Sequence, residues 1–250
     1  MRKSVAKNLV FFSSALVIIG IGSVVVHRLP LLSTVMSLRD QYDVHRTPGM
    51  YAVPFLKKAL NNTSCAPLDG ERTSQIEIGE LRFNLPASEI VSKQGASELY
   101  RIEFTGKRVL VIVPRIPPIE EIAPGGSTHL KEKFAEFLRR NDITTHRELV
   151  SYMLHVTPSD LSLFDDPIIM IGKMLSLHFK VVMVPREADH AYEFSLGRKL
   201  TGYLVSRRGN DQALTFVHLF DERGRHHQLI FSSFDEHQIT CTLNRVAHVG

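Results

Sequence analysis

Tryptophan is absent, only two cysteines occur in 250 residues, and four familiar catalytic patterns are missing. There is no G-x-S-x-G elbow, no H-E-x-x-H helix, no C-x-x-C pair and no phosphate-cradling loop with its lysine, which removes the best-marked hydrolase, zinc-protease, dithiol and nucleotide chemistries. Acidic residues are absent from the first 28 positions, where Arg2, Lys3, Lys7 and Arg28 account for the whole formal charge of +4. Residues 29–250 therefore carry no net charge, and a neutral body lacks the sustained positive field that a phosphate backbone selects for. The pairs Arg139-Arg140 and Arg207-Arg208 read as solvated ends of elements, so nucleic acid is not an expected partner. Hydrophobic content of 44% with 8% aromatics describes a globular body and not a disordered one.

What is present begins with an apolar run. Leu9 to Val26 contains no charge and only Ser13, Ser14 and Ser23 as polar side chains. Its eighteen residues make about 27 Å of helix, close to the ~30 Å hydrocarbon core. A cleaved signal peptide is the rival reading, but the run is longer than the usual h-region and Val24-Val25-Val26-His27 offers no A-x-A-like site. The expected reading is an uncleaved transmembrane anchor that meets the lipid bilayer through residues 9–26. Cations crowd its N-terminal side, whereas Arg28, Arg39 and Arg46 beyond it are diluted by Asp40 and Asp43. The positive-inside rule then places the tail in the cytoplasm and the body across the membrane, in a bacterial periplasm or a eukaryotic lumen or exterior.

Three regions follow: tail and anchor over 1–28, a membrane-proximal stalk or linker over 29–74, and a globular domain over 75–250. The linker closes in a loop, Asn61 to Thr73, rich in Asn, Ser, Thr, Pro and Gly. From Gln75 the period becomes two. Ile76 and Ile78 alternate, then Leu81, Phe83 and Leu85 in the opposite phase, with Gly79 marking a tight turn. A second hairpin joins Tyr100–Phe104 to the β-branched run Val109–Val113 through Thr105-Gly106-Lys107. Helices are expected after Ser127 or Thr128 (Leu130, Phe134, Phe137, Leu138), after Thr145 with its capping-box partner Glu148, after Thr157-Pro158, and after Asp166-Pro167. The last is read as ending near Leu177, before a short strand at Val181–Val184. Strands near Phe194–Ser206 and Leu214–Phe220, the turn Asp221–Gly224, and the strand Gln228–Ser232 come next. Phe234, Asp235, Gln238 and Ile239 then open a terminal helix that buries Ile239, Leu243 and Val246. The fold class is α+β, a largely antiparallel sheet covered by helices.

Paired strands ending in Asn84-Leu85-Pro86, a helical middle, the hairpin LTFVHLFDERGRHHQLIFSS and a terminal capped helix resemble PsbP-like α/β/α sandwiches over residues 75–250. The resemblance rests on element order and transfers no functional residue. It implies a non-catalytic binding or assembly module, although a helical block as long as 128–178 departs from the compact form.

Candidate chemistry is sparse. Gly125, Gly126, Ser127 and Thr128 form a glycine turn into a helix N-terminus, the first choice for an anion-binding loop. His226 and His227, adjacent on a strand, face opposite sides of the sheet and cannot share a metal; His218 reads as a partly buried, hydrogen-bonded imidazole. No metal, cofactor or catalytic group is assigned. Cys65 and Cys241 both look exposed and are expected to be joined, the alternatives being two free thiols or intermolecular pairing. The leading functional expectation is a membrane-tethered, non-enzymatic module that binds another envelope protein. A membrane-anchored hydrolase with dispersed catalytic residues is the other. The anchor has a direct check: the full chain should stay in the membrane pellet after an alkaline carbonate wash, and deletion of residues 1–28 should release it. Release of the full chain by that wash would remove the anchor from this reading.

Overall fold

The structure, a computed structural model, describes Val53, residues 55–57, Cys65, and residues 72–249 except 97, 119–120, 122–127, 163, 186–187, 198 and 208–213. The apolar run 9–26, most of the 29–74 linker, and Gly125, Gly126 and Ser127 of the glycine turn lie outside the described residues. Among the described residues, no helix is long and apolar enough to cross a membrane.

The strands in chain order are β1 (Phe55–Lys57), β2 (Thr73–Ile78), β3 (Leu81–Pro86), β4 (Ile90–Ala96), β5 (Leu99–Phe104) and β6 (Val109–Val113). Helices α1 (Thr128–Arg140), α2 (His146–His155) and α3 (Pro167–Met183) follow. The chain then returns to strands β7 (His190–Leu196), β8 (Leu200–Ser206), β9 (Thr215–Asp221) and β10 (His226–Ser232), and ends with α4 (Glu236–Asn244) and β11 (Val246–His248). The protein is thus a mixed α+β fold. One eight-stranded sheet runs β1-β7-β8-β9-β10-β6-β5-β4, and a three-stranded sheet runs β11-β3-β2. β1 lies parallel to β7, and the other described pairings are antiparallel.

Strand alternation sorts the large sheet into two buried faces. Val217 and Leu219 of β9, Leu229 and Phe231 of β10, and Leu110 and Ile112 of β6 pack against Ile76, Phe83 and Leu85 of the small sheet and Ile239 and Leu243 of α4. The opposite face, with Ala191, Tyr203, Val205 and Phe220, packs against Phe134, Phe137, Leu149, Met153 and Phe179 of α1–α3. The layers are therefore three helices, the large sheet, and a small sheet with one helix. The resemblance implied helices on both sides; here a β layer occupies most of one side, because the hairpin at Gly79 and β11 pair with each other and not with the large sheet.

The local signals explain most helix starts. Thr145 and Glu148 form the expected capping box, as do Asp235 and Gln238 before α4, and Asp166 accepts from the amides of Ile168 and Ile169. Thr157-Pro158 opens only a single 3-10 turn. Three expectations change. α3 continues through Val181 to Met183, with no strand there. Buried Lys180 on that last turn donates to the carbonyls of Leu154 and Val156, 3.1 and 2.8 Å away, so the α2 terminus is satisfied by α3. Val246 belongs to β11 and not to the last helix. The folded unit also begins before residue 75. Val53 is fully buried against the helices, its amide donates to the Leu154 carbonyl, and β1 extends the large sheet. Strand β4, which alternation did not mark, forms the other sheet edge.

One helix crossing depends on a missing side chain. A Cβ on Gly172 of α3 would clash with the Phe137 ring of α1, so glycine sets how closely these helices approach. On the opposite layer Phe234 stands edge-on to Phe104 and Phe231, with ring centroids 5.4 and 5.2 Å away, beneath the Arg108 guanidinium. Phe234→Ala should cost about 3–5 kcal/mol of unfolding free energy. Val182→Ala, at a side chain 65% exposed, should stay within about 0.5 kcal/mol. Equal shifts in the two denaturation midpoints would contradict this packing.

Candidate functional site

An open groove of about 970 Å³ lies between the first turns of α2, the start of β8 and the β9–β10 turn. Its walls include Thr145, Arg147, Ser151, Tyr152, His155, Thr201, Tyr203, Phe220 and Arg223. Arg147 is held across the groove wall by an ion pair to Glu193 and a bond from Nε to the Tyr203 hydroxyl at 3.4 Å. Burial, with Asp160 and Asp165 nearby, pushes the Tyr152 phenol up to about 12, so it remains protonated. Ser151 and His155 share a helix face, yet His155 Nδ1 meets the Ser151 carbonyl oxygen, 2.8 Å away. That bond ties the imidazole to the backbone of α2, whereas activation of the Ser151 hydroxyl requires a base directed at Oγ.

The turn between β9 and β10 forms because Asp221 gathers it. Asp221 Oδ1 accepts from the amides of Arg223 and Arg225, both at 2.9 Å, and Gly224 adopts φ 74°. The two strands then project opposite sets of polar side chains. His218 and His226 face the helices; Asp221 and His227 face the small sheet. Adjacent His226 and His227 do point to opposite faces. His218, expected to be partly buried, is wholly buried because α3 ends directly over it.

On the helical face the hydrogen bonds fix the tautomers. His218 Nε2–H donates to the Met183 carbonyl at 3.0 Å, which leaves His218 Nδ1 to accept from His226 Nε2–H at 2.9 Å. His226 Nδ1 is then a buried lone pair with no hydrogen-bond partner. The His146 ring lies 5.4 Å away, its own Nε2–H donating to the Pro117 carbonyl at 2.8 Å. Burial holds His218 down to about 4, and burial followed by the neighbouring His218, His146 and His227 holds His226 well below its usual value.

No known protein family matches this chain, and no curated protein matches it significantly. Function must therefore be argued from the geometry.

On the other face, the Asp221 carboxylate is fully buried. Arg225 Nε donates to its Oδ2 at 2.6 Å and Arg225 Nη2 to His248 Nε2 at 3.1 Å, while Arg225 Nη1 pairs with Glu80 of the β2–β3 turn. His227 Nδ1 donates to the Pro114 carbonyl. Glu80, Asp221 and His227 each bring one ligand-type atom within 4.8 Å of the others. Pattern reading missed this cluster because its members come from two hairpins far apart in sequence, Glu80 from β2–β3 and Asp221 and His227 from β9–β10. The only available signal was the alternation that puts Asp221 and His227 on one face.

Of the residues singled out for the anion loop, only Thr128 is described, as the exposed first residue of α1. Cys65 and Cys241 stand at disulfide distance, their Cα atoms 5.4 Å apart. Cys241 is buried, contrary to the exposed setting expected from the helix stripe, since α4 is covered on more than one side and Thr240 and Thr242 are buried too.

The helical-face histidines predict an acid-sensitive fold. Unfolded imidazoles bind protons near the usual 6.5, whereas folded His218 does so only near about 4. The unfolded state binds more protons throughout that window, so stability is full above it and falls as pH drops through it. For His218 alone the loss is on the order of 3 kcal/mol. Denaturation midpoints measured across this range should fall with acid, and less steeply in His218→Gln. A pH-independent midpoint, or an unchanged slope in the variant, would contradict neutral burial.

Proposed function

We propose that the chain is a membrane-tethered, non-enzymatic binding module held on the non-cytoplasmic side of the bilayer, where it docks another envelope protein. The observation that carries this reading is the Cys65–Cys241 pair, 176 residues apart in sequence. Such a bridge persists where thiols are oxidised, which agrees with the positive-inside orientation argued from Arg2, Lys3 and Lys7. The groove is the surface on which this reading places the partner. It is open and lined by half-buried Tyr152 beside Arg147 and exposed Arg223, side-chain types enriched where proteins meet.

Two measurements test it. Protease added outside intact spheroplasts should digest the domain; full protection of membrane-bound protein would reverse the orientation. A photo-reactive amino acid placed at Ser151, in the groove, should crosslink one discrete envelope protein, while the same group at exposed Glu132 of α1 should not. Equal crosslinking from both positions, or none from Ser151 in native membranes, would refute a docking groove.

A further inference from the structure

His227 faces an unresolved electrostatic contact. Its Nδ1–H is committed to the Pro114 carbonyl, so in the neutral ring the lone pair lies on Nε2. That nitrogen is buried, the residue being 2% exposed, and has no hydrogen-bond partner. It stands 3.9 Å from Asp221 Oδ2, an oxygen that carries negative charge. Two electron-rich atoms thus point toward one another, a contact that a cation held between them makes favourable. Arg225 does not supply it. Its guanidinium serves Asp221, Glu80 and His248 but makes no bond to His227.

We propose that Glu80, Asp221 and His227 bind a divalent transition-metal ion of the zinc class, with His248 as a fourth donor and Arg225 as the competing internal cation. The donor set is one imidazole nitrogen with two carboxylate oxygens, which suits zinc better than the all-oxygen shells of calcium or magnesium. Two carboxylates and one guanidinium leave a net charge of −1 for the ion to offset. The outer shell is in place. The Pro114 carbonyl orients His227, and the amides of Arg223 and Arg225 hold Asp221 through its other oxygen. Tetrahedral zinc ligands sit about 3.4 Å apart, closer than the 4.8 Å limit found here, so the ligands must draw inward. Glu80 can do so: it lies in the β2–β3 turn, its side chain is 35% exposed, and it gives the ion a route from solvent. His248 Nε2, 3.3 Å from Asp221 Oδ2 and 4.0 Å from Glu80 Oε2, joins once the Arg225 guanidinium withdraws. The ion would then clasp the small sheet to the large one.

The test uses the full chain in detergent, stripped with chelator and titrated with Zn2+ by calorimetry and by a competing chromophoric chelator. One ion per chain and a rise in Tm are expected. Co2+ should give the visible absorption of a tetrahedral site. Glu80→Gln, first checked for an unchanged circular-dichroism spectrum, should weaken binding at least tenfold, and His227→Gln should abolish it. Arg225→Gln, which removes the competing charge, should tighten it. Failure of the wild-type chain to bind Zn2+ below about 10 μM, unchanged affinity in both Glu80→Gln and His227→Gln, or equal binding of Mg2+ or Ca2+ would overturn the proposal.

Discussion

Because β9 and β10 are covered on both faces, the polar side chains they bury draw their partners from inside the protein, and only His226 Nδ1 and His227 Nε2 among their described atoms are left without one. All seven residues of β9 are buried. Transfer of an unpaired polar group to such an interior costs about 1–3 kcal/mol by protein mutational measures, so the partners of Asp221, His218, His226 and His227 are not optional. They dictate where neighbouring elements end. α3 stops where the Met183 carbonyl can accept a hydrogen bond from His218 Nε2–H, and the chain after β6 passes so that the carbonyls of Pro114 and Pro117 meet His227 and His146. The small sheet is fixed in the same way, through Glu80 and His248 around Arg225.

The two faces use polar residues differently. The helical face runs a one-directional relay of neutral imidazoles, in which each ring donates and the last nitrogen, His226 Nδ1, is left over. The other face concentrates full charges around a buried carboxylate. Breaking such a network at one member leaves an uncompensated charge, which costs more than the intact network contributes. The same property that makes the hairpin specific therefore makes it intolerant of single polar substitutions.

Local chemistry was legible in the sequence wherever the cause was local. Thr145 with Glu148, Asp166 before Pro167, and Asp235 with Gln238 each signalled a helix start through contacts four residues apart or fewer, and the phase change at Gly79 signalled its hairpin. The boundaries that failed were set by distant partners. Val181 and Val182 favour a strand by propensity, yet Lys180 draws that turn into helix through bonds to the end of α2. Val246 fits the stripe of α4 but pairs with Phe83 of β3 instead. β4 has no clean alternation because its edge position leaves most of its side chains exposed. The Glu80–Asp221–His227 cluster lay out of reach for the same reason, since nothing near Asp221 in sequence points to a turn some 140 residues earlier.

The cysteine pair has a consequence for how the protein responds to proteolysis. Nearly the whole described body lies between Cys65 and Cys241, so a single proteolytic cut anywhere in that span yields two fragments that remain one covalent molecule. The piece carrying α4 cannot diffuse away from the piece carrying the N-terminus. The two pieces of a severed chain would separate only after a reductant reached the bridge.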